Sequence, residues 1–292
     1  MQAALAGRYQ IERTVGSGAM AVVFQARRVD GGQVVALKVM RPEIGYEDGV
    51  VERFRIEARA TAQLHHDNIV QLRAHGEAGE ILWIEMDLVE GDSLETLLRA
   101  GPLPWERVAR LLSQAAGALA YAHSCGIIHR DVKPANLLIP SATDRVLVTD
   151  FGVARIRDTA RITATGMTVG TPGYMSPEQF YLDKELTPAT DQYSLGVVAY
   201  QMITGTIPPP PDPDRPAGRI TISSRTIRLL APACPLQLAA LAQRMLALDP
   251  RRRWPDLKEV STAAAEIAAT GVAAATSRPG DYLITALRRL LP

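Results

Sequence analysis

The feature that most restricts how this chain can fold is a change of hydrophobic period at Gly91. Before it, the runs "RYQIERTV", "AVVFQARRV", "QVVALKVM" and "ILWIEMDLV" are short, rich in β-branched residues and separated by turns such as Gly31-Gly32, so they read as strands. One stretch among them, "VERFRIEARATAQL" from Val51 to Leu64, sets Phe54, Ala58 and Leu64 near one face with charges elsewhere, the spacing of an amphipathic helix. After Gly91 long apolar helical patterns take over, notably Trp105 to His123, Ala189 to Ile203 and Pro235 to Leu246. A small β-rich lobe followed by a larger helical lobe puts a cleft, and a natural ligand site, between them. The hinge falls at "MDLVEGDSL", Met86 to Leu94.

Composition narrows the partners. A chain of 292 residues that is 47% hydrophobic has ample material for a core, and its 32 basic and 31 acidic side chains leave a net charge of +1. No global field marks it as a binder of nucleic acid or membrane surfaces. Cys125 and Cys234 form neither a CxxC nor a Cys/His cluster, which argues against a zinc site and a disulfide-stabilised secreted domain. The opening "MQAALAGRYQIERTV" is too soon polar for a signal sequence, and no apolar run approaches bilayer length. The expectation is a cytoplasmic chain, or the cytosolic part of a longer one. "TIPPPPDPDRPAG", Thr206 to Gly218, has too many prolines for a helix and reads as a stiff extended loop. "TGVAAATSRPG", Thr270 to Gly280, reads as a linker before an amphipathic helix, Asp281 to Leu291.

The loop "VGSGAMAVVF", Val15 to Phe24, carries Gly16 and Gly18 but Ala21 where G-x-G-x-x-G has its third glycine. Alone it is either an ordinary hairpin or a phosphate-covering loop. The motifs downstream decide. "VALK" puts Lys38 on the third strand and "IEA" puts Glu57 on the next helix; "HRDVKPAN" runs from His129 to Asn136, "DFG" from Asp150 to Gly152, "GTPGYMSPE" from Gly170 to Glu178, and "DQYSLG" starts at Asp191. In this order the motifs closely resemble the eukaryotic-type, or Hanks-type, Ser/Thr protein kinases of the bacterial kind, over residues 8 to 270. The resemblance implies an α+β bilobal kinase fold: a domain over 1–270 with small lobe 8–87, hinge 87–91 and large lobe 92–270, then 271–292 as linker and helix.

It also implies roles. Phosphoryl transfer passes through a loose transition state, so the protein mainly positions and neutralises. The backbone of Gly16, Ser17, Gly18, Ala19, Met20 and Ala21 would cover the phosphates of ATP, and Lys38 would bind the α and β phosphates while paired with Glu57. Val15, Val23, Ala36 and Leu138 occupy the adenine slot, the backbone from Asp87 to Val89 supplies its hydrogen bonds, and Met86 is the gatekeeper. Asp131 is the catalytic base, Lys133 contacts the γ-phosphoryl, and Asn136 and Asp150 hold Mg²⁺ or Mn²⁺. Lys133 and Thr171 favour Ser/Thr over Tyr substrates, Thr171 by bonding to the catalytic pair. His129, Phe151, Gly152 and Asp191 are structural connectors, and Glu178 with Arg253 matches a buried ion pair that ties the activation segment to the large lobe.

Arg130 is the arginine that receives an activation-loop phosphate in relatives, and the polar loop "VARIRDTARITATGMTV" offers Thr163, Thr165 and, less favourably placed, Thr168 as autophosphorylation sites. The partners implied are Ser/Thr-bearing proteins and the chain itself, phosphorylated in trans through a transient homodimer. Relatives carry a substrate-docking helix where Thr206 to Arg228 is proline-rich, so that helix is expected shortened or missing. A pseudokinase scaffold is disfavoured because Lys38, Glu57, Asp131, Asn136 and Asp150 are all present. A small-molecule phosphotransferase is disfavoured by "GTPGYMSPE", which serves extended protein substrates. A Rossmann dehydrogenase is excluded because the glycine loop joins two strands.

Overall fold

The structure, a computed structural model, describes residues 5–18, 21–41, 50–79, 81–151, 172–181, 186–209 and 222–276. Strands β1 (Tyr9–Ser17), β2 (Ala21–Arg28), β3 (Val34–Met40), β4 (Leu72–Ala78) and β5 (Ile81–Asp87) form one sheet in the order β1-β2-β3-β5-β4, every pair antiparallel. Helix α1 (Val50–Ala62) is inserted between β3 and β4. Residues directly opposite in a ladder share a face. Phe24 opposite Leu37 and Val39 opposite Trp83 bury one face with Leu5, Tyr9 and Val35. The other face carries Val23 opposite Lys38 and Ala36 opposite Met86, and further along it Met40, Leu82 and Ile84 pack on Phe54 of α1. Strand β4 is absent from the sequence reading.

Among the described residues of this lobe Glu85 is a buried acid. Glu85, 1% exposed, accepts from Tyr9 Oη at 2.5 Å and Arg28 Nη1 at 3.3 Å, which meets the requirement that a buried charge be partnered.

The large lobe begins with β6 (Gly91–Ser93) and α2 (Leu94–Leu98), then α3 (Trp105–Ser124), β7 (Leu137–Pro140), β8 (Leu147–Val148), α4 (Pro177–Phe180), α5 (Ala189–Thr204), α6 (Ser224–Leu230), α7 (Leu236–Met245) and α8 (Leu257–Thr276). Gly91 pairs with Pro140 of β7, and a Cβ there would run into the Ile139 carbonyl and Pro140 Cα. Only glycine fits, so the residue where the hydrophobic period changes is also where the chain crosses between lobes. Helix α5 is buried almost all round, from Thr190 to Ile203, so its polar side chains must find partners inside the lobe. It ends at Gly205, whose φ of 77 gives the left-handed C-cap.

A second crossing braces the lobes. The loop between α1 and β4 lies along β8: Val70 N–H donates to Val148 O at 2.9 Å, Val148 N–H to Asn68 O at 2.8 Å, and Asn68 Nδ2 to Val146 O at 2.7 Å. The base of α1 is thereby tied to the floor of the cleft.

One expectation changes. Helix α8 runs through Thr270 to Thr276, so the stretch read as a linker starts as helix; Ala273 to Ala275 are the residue type that costs a helix least, and they carry it past Gly271. At the end of the proline-rich stretch a seven-residue helix, Ser224–Leu230, is started by Ser223, whose side chain accepts from Thr226 N–H. The segments 210–221 and Asp281 to Leu291 lie outside the described residues.

Candidate active site

The turn between α3 and β7 that carries Asp131 is held by Asp191. Among the described residues Arg130 (φ 66) and Asp150 (φ 65) are the non-glycine positions in the left-handed region, where an L-residue needs outside support. For Arg130 the support is Asp191 on α5, fully buried: its Oδ2 accepts from His129 N–H at 2.8 Å, its Oδ1 from Arg130 N–H at 2.7 Å, and His123 Nε2 lies 2.7 Å from Oδ2. On the other side of the same residue, Gln179 Nε2 donates to Arg130 O at 2.7 Å. A carboxylate that accepts two backbone amides and an imidazole fixes two successive peptide planes. His123 and Gln179 were missed in the sequence; the signal for Gln179 was the Ser176/Gln179 capping box inside "SPEQ".

Among the described residues, Lys133 and Asn136 both reach Asp131. Lys133 Nζ donates to Asp131 Oδ2 at 2.7 Å, and Asn136 Nδ2 donates to Asp131 O at 2.8 Å and to Oδ2 at 3.2 Å. His129 links this turn to the next motif. Its Nδ1 accepts from Asp131 N–H at 3.2 Å, so Nε2 carries the proton and donates to Thr149 O at 2.8 Å. Its ring also packs on Phe151, with centroids 4.7 Å apart.

Asp150 follows Thr149 and meets the small lobe. Lys38 Nζ donates to Asp150 Oδ1 at 2.6 Å, across the cleft between β3 and the end of β8. Burial raises the Asp150 carboxyl, but the Lys38 ammonium, helped by Lys133, outweighs it and holds the carboxyl below its ordinary value. The expected Lys38–Glu57 ion pair is not the one seen: among the described residues the partner of Lys38 is Asp150. The physical reason is geometric, since the left-handed backbone at 150 turns its carboxylate toward β3 and a buried carboxylate takes the nearest cation. Glu57 sits on the cleft-facing helix with both carboxylate oxygens shielded from solvent.

The residues present suit a divalent cation. Asn136 spends its amide nitrogen on Asp131, which turns its carbonyl oxygen away from that residue, and Asp150 offers a carboxylate kept ionised. Two hard oxygens completed by phosphate oxygens are what Mg²⁺ takes, and the Thr149 N–H bond to Asn136 O at 3.0 Å holds the two ligand segments side by side.

On the nucleotide side, Val23, Ala36 and Met86 share the cleft face through the register, with Ala36 6% exposed and Val15 40% exposed at the rim. Leu138 and Val89 are half-buried. Thr149 Oγ1 reaches Met86 Sδ at 3.8 Å, so the Met86 side chain lies beside the segment that carries Asp150. At the hinge Arg73 grips Asp87 with Nε at 2.6 Å and Nη2 at 2.8 Å. In the glycine loop, Gly16 and Ser17 pair with Val23 and Val22, and Gly18 N–H donates to Ala21 O at 2.9 Å. Ala21 is 6% exposed and packs with Met40 and Phe54, with no positive φ. Its methyl therefore fills the sheet's underside, and a third glycine is not needed for conformation.

Arg253 Nη1 and Nη2 grip Glu178 Oε1 and Oε2 at 2.6 and 2.8 Å, and Arg253 also donates to Ala247 O and Ala189 O. Burial pushes the Glu178 carboxyl up, but the guanidinium outweighs this and keeps it below its usual value. The pair ties α4 to the α7–α8 connection under α5. Ala19, Met20, Gly152, Thr163, Thr165, Thr168 and Thr171 lie outside the described residues.

With this geometry in place, comparison with known proteins is decisive about family. Residues 9–264 match the protein kinase domain family. The chain is 38% identical over 260 residues to the serine/threonine-protein kinase PknA of Mycobacterium tuberculosis, covering 86% of this chain and 59% of that protein. It is 36% identical over 284 residues to the serine/threonine-protein kinase pkn3 of Myxococcus xanthus, covering 86% of this chain and 52% of that one. The chain thus spans between half and three-fifths of the length of these curated relatives. Its fold superposes on the crystal structure of the PknI kinase domain of Mycobacterium tuberculosis with a TM-score of 0.72 and 29% identity, over 89% of this chain and 96% of that one. The chain belongs to the protein kinase domain family, and its relatives are bacterial Ser/Thr kinases.

Proposed function

We propose that this chain is a catalytically competent Ser/Thr protein kinase that transfers the γ-phosphoryl of ATP to protein hydroxyls. The observation that carries this reading is the cluster of Asp131, Lys133 and Asn136 within hydrogen-bonding distance of one another, beside an Asp150 already neutralised by Lys38. Adenine lies between Val15, Val23, Ala36 and Leu138, with the backbone from Asp87 to Val89 as its polar edge. Asp131 orients the acceptor hydroxyl and takes its proton as the new O–P bond forms and the bond to the departing ADP oxygen breaks. Lys133, bonded to Asp131, sits where charge spreads over the transferred group. Mg²⁺ or Mn²⁺ held by Asn136 and Asp150 would neutralise phosphate oxygens. Lys38 then serves the α and β phosphates and passes from Asp150 to Glu57.

Autophosphorylation in trans, by a transient homodimer, at Thr163, Thr165 or Thr168 would bring negative charge to Arg130, whose backbone is already locked by Asp191 and Gln179. Thr171 would bond to the catalytic pair. The test is transfer from labelled Mg-ATP to the chain and to a generic protein substrate, with phosphoamino acid analysis and a Lys38→Met control. Label on serine and threonine only, lost in the control, is the expected result. Label on tyrosine, or equal label in the control, overturns the reading; phosphate mapped only outside the three threonines overturns the regulatory part alone.

A further inference from the structure

Gln179 stands at the third position of α4, in a capping box that either glutamate or glutamine can complete. The box is closed: Ser176 Oγ accepts from Gln179 N–H at 3.2 Å, and Ser176 N–H donates back to Gln179 Oε1 at 3.1 Å. For the cap alone a glutamate would serve at least as well, since negative charge is favoured in the first turn of a helix. The amide nitrogen has a second task. Gln179 Nε2 donates to Arg130 O at 2.7 Å. A carboxylate placed there would face a carbonyl oxygen with no proton to offer, so the need for a donor at Arg130 O separates glutamine from glutamate at this position.

Arg130 O belongs to the peptide that joins Arg130 to Asp131. That unit is held at both polar ends, because its N–H, that of Asp131, donates to His129 Nδ1 at 3.2 Å. The preceding peptide, which joins His129 to Arg130, is a separate unit whose N–H is held by Asp191 Oδ1 at 2.7 Å. With the planes on either side of the Arg130 Cα both fixed, its φ of 66 is kept in a region where an L-residue does not rest unaided. Asp191 and His129 hold the turn from within the large-lobe core. Gln179 reaches it from α4, which Glu178 in turn anchors on Arg253. The Asp131 Cα follows directly on the second peptide, so freeing Arg130 O lets that plane rotate and carries the carboxylate away from Lys133 and Asn136.

We propose that Gln179 is a positioning residue for phosphoryl transfer, whose amide sets the Arg130–Asp131 peptide and so transmits the seating of α4 to Asp131. The inference rests on reading Asp131 as the base of the transfer. It predicts a split between rate and nucleotide binding. Gln179→Glu keeps the cap, through an oxygen that still accepts from Ser176 N–H, but cannot donate to Arg130 O. Its single-turnover rate at saturating Mg-ATP should fall roughly 5- to 30-fold, the scale of one lost hydrogen bond that leaves its acceptor unpaired. Mg-ATP affinity should stay within about twofold, because Val23, Ala36 and Lys38 stand on the other lobe. Gln179→Leu removes both the cap bond and the donation without adding charge, so it should slow transfer as much and lower the unfolding midpoint as well.

The experiment measures single-turnover transfer to a generic protein substrate, Mg-ATP affinity by calorimetry and the unfolding midpoint for wild type and both variants, with Lys38→Met as the blank. Slower transfer in both variants at unchanged Mg-ATP affinity, with the larger fall in midpoint in Gln179→Leu, supports the proposal. A wild-type rate in Gln179→Glu makes the bond to Arg130 O idle, and loss of rate in Gln179→Glu alone makes the added charge the cause. Loss of rate together with Mg-ATP affinity, or with the same fall in midpoint in both variants, makes Gln179 a general support of the fold. Each of these overturns it. A wild type that binds Mg-ATP yet transfers no more than the blank removes the transfer reading itself, and the inference falls with it.

Discussion

The two walls of the cleft hold their functional groups by different means. On the large-lobe wall, Asp131 stands on a turn whose neighbouring peptides are bonded to the fully buried Asp191, while Glu178 and Arg253 lock the segment beneath. On the small-lobe wall, Lys38 relies on one ion pair to Asp150, and the glycine hairpin on exposed Arg41, whose Nε donates to Gly18 O at 3.2 Å. Buried networks are costly to break and therefore keep a base and its partners at fixed geometry. A single ion pair can be exchanged, which is what the proposed passage of Lys38 from Asp150 to Glu57 requires. The comparison teaches that the proposed base is pre-set and the proposed nucleotide grip adjustable.

The large-lobe side of the comparison breaks first at Arg253. Arg253→Met leaves Glu178 buried with its charge unanswered, and should lower unfolding stability by about 3–5 kcal/mol in urea denaturation. The double variant Glu178→Leu/Arg253→Met should recover most of that, because the uncompensated charge is gone. The same pair sets a pH response. Glu178 has its folded value below its unfolded one, so its contribution is complete above about pH 4.3 and is lost as the pH falls through the folded value. Wild type should lose stability across that acid window more steeply than the double variant; parallel curves would remove the pair from the account.

A smaller effect tests the join between the walls. Gly91→Ala drives a methyl into the Ile139 carbonyl and should cost about 1–3 kcal/mol, read by thermal unfolding. The smallest belongs to the small lobe's surface: Arg27→Ala removes a half-exposed pair with Glu12 at 2.8 Å and should leave the unfolding midpoint essentially that of wild type. A large loss there would contradict the contrast between a rigid and a loosely held wall.

Much of this was legible in the chain because the catalytic motifs are local. "HRDVKPAN" and "DFG" place Asp131, Asn136 and Asp150 within a few residues of a turn, and the apolar runs of α3, α5 and α7 set their own lengths. What escaped was tertiary. "LRAHGEA" alternates Leu72, Ala74, Gly76 and Ala78 with Arg73, His75 and Glu77, but it has no β-branched residue and its apolar side chains are mostly small, and it becomes strand β4 by lying along β5 at the sheet edge. The choice of Lys38 between Glu57 and Asp150 depends on how the Asp150 backbone turns, which spacing does not encode. Ala21 looked like a defect in a glycine pattern, and the register shows a methyl packed under the sheet instead. Arg41 and His123 have neighbours in space, not in sequence.

The central claim, that a pre-set Asp131 performs the transfer, is tested most directly by the single-turnover rate of Asp131→Asn against wild type, with unfolding midpoints measured alongside. The account predicts a fall of about 10²- to 10⁴-fold in rate at an essentially unchanged midpoint, since asparagine can still accept from Lys133. A variant that transfers phosphate at the wild-type rate would contradict it.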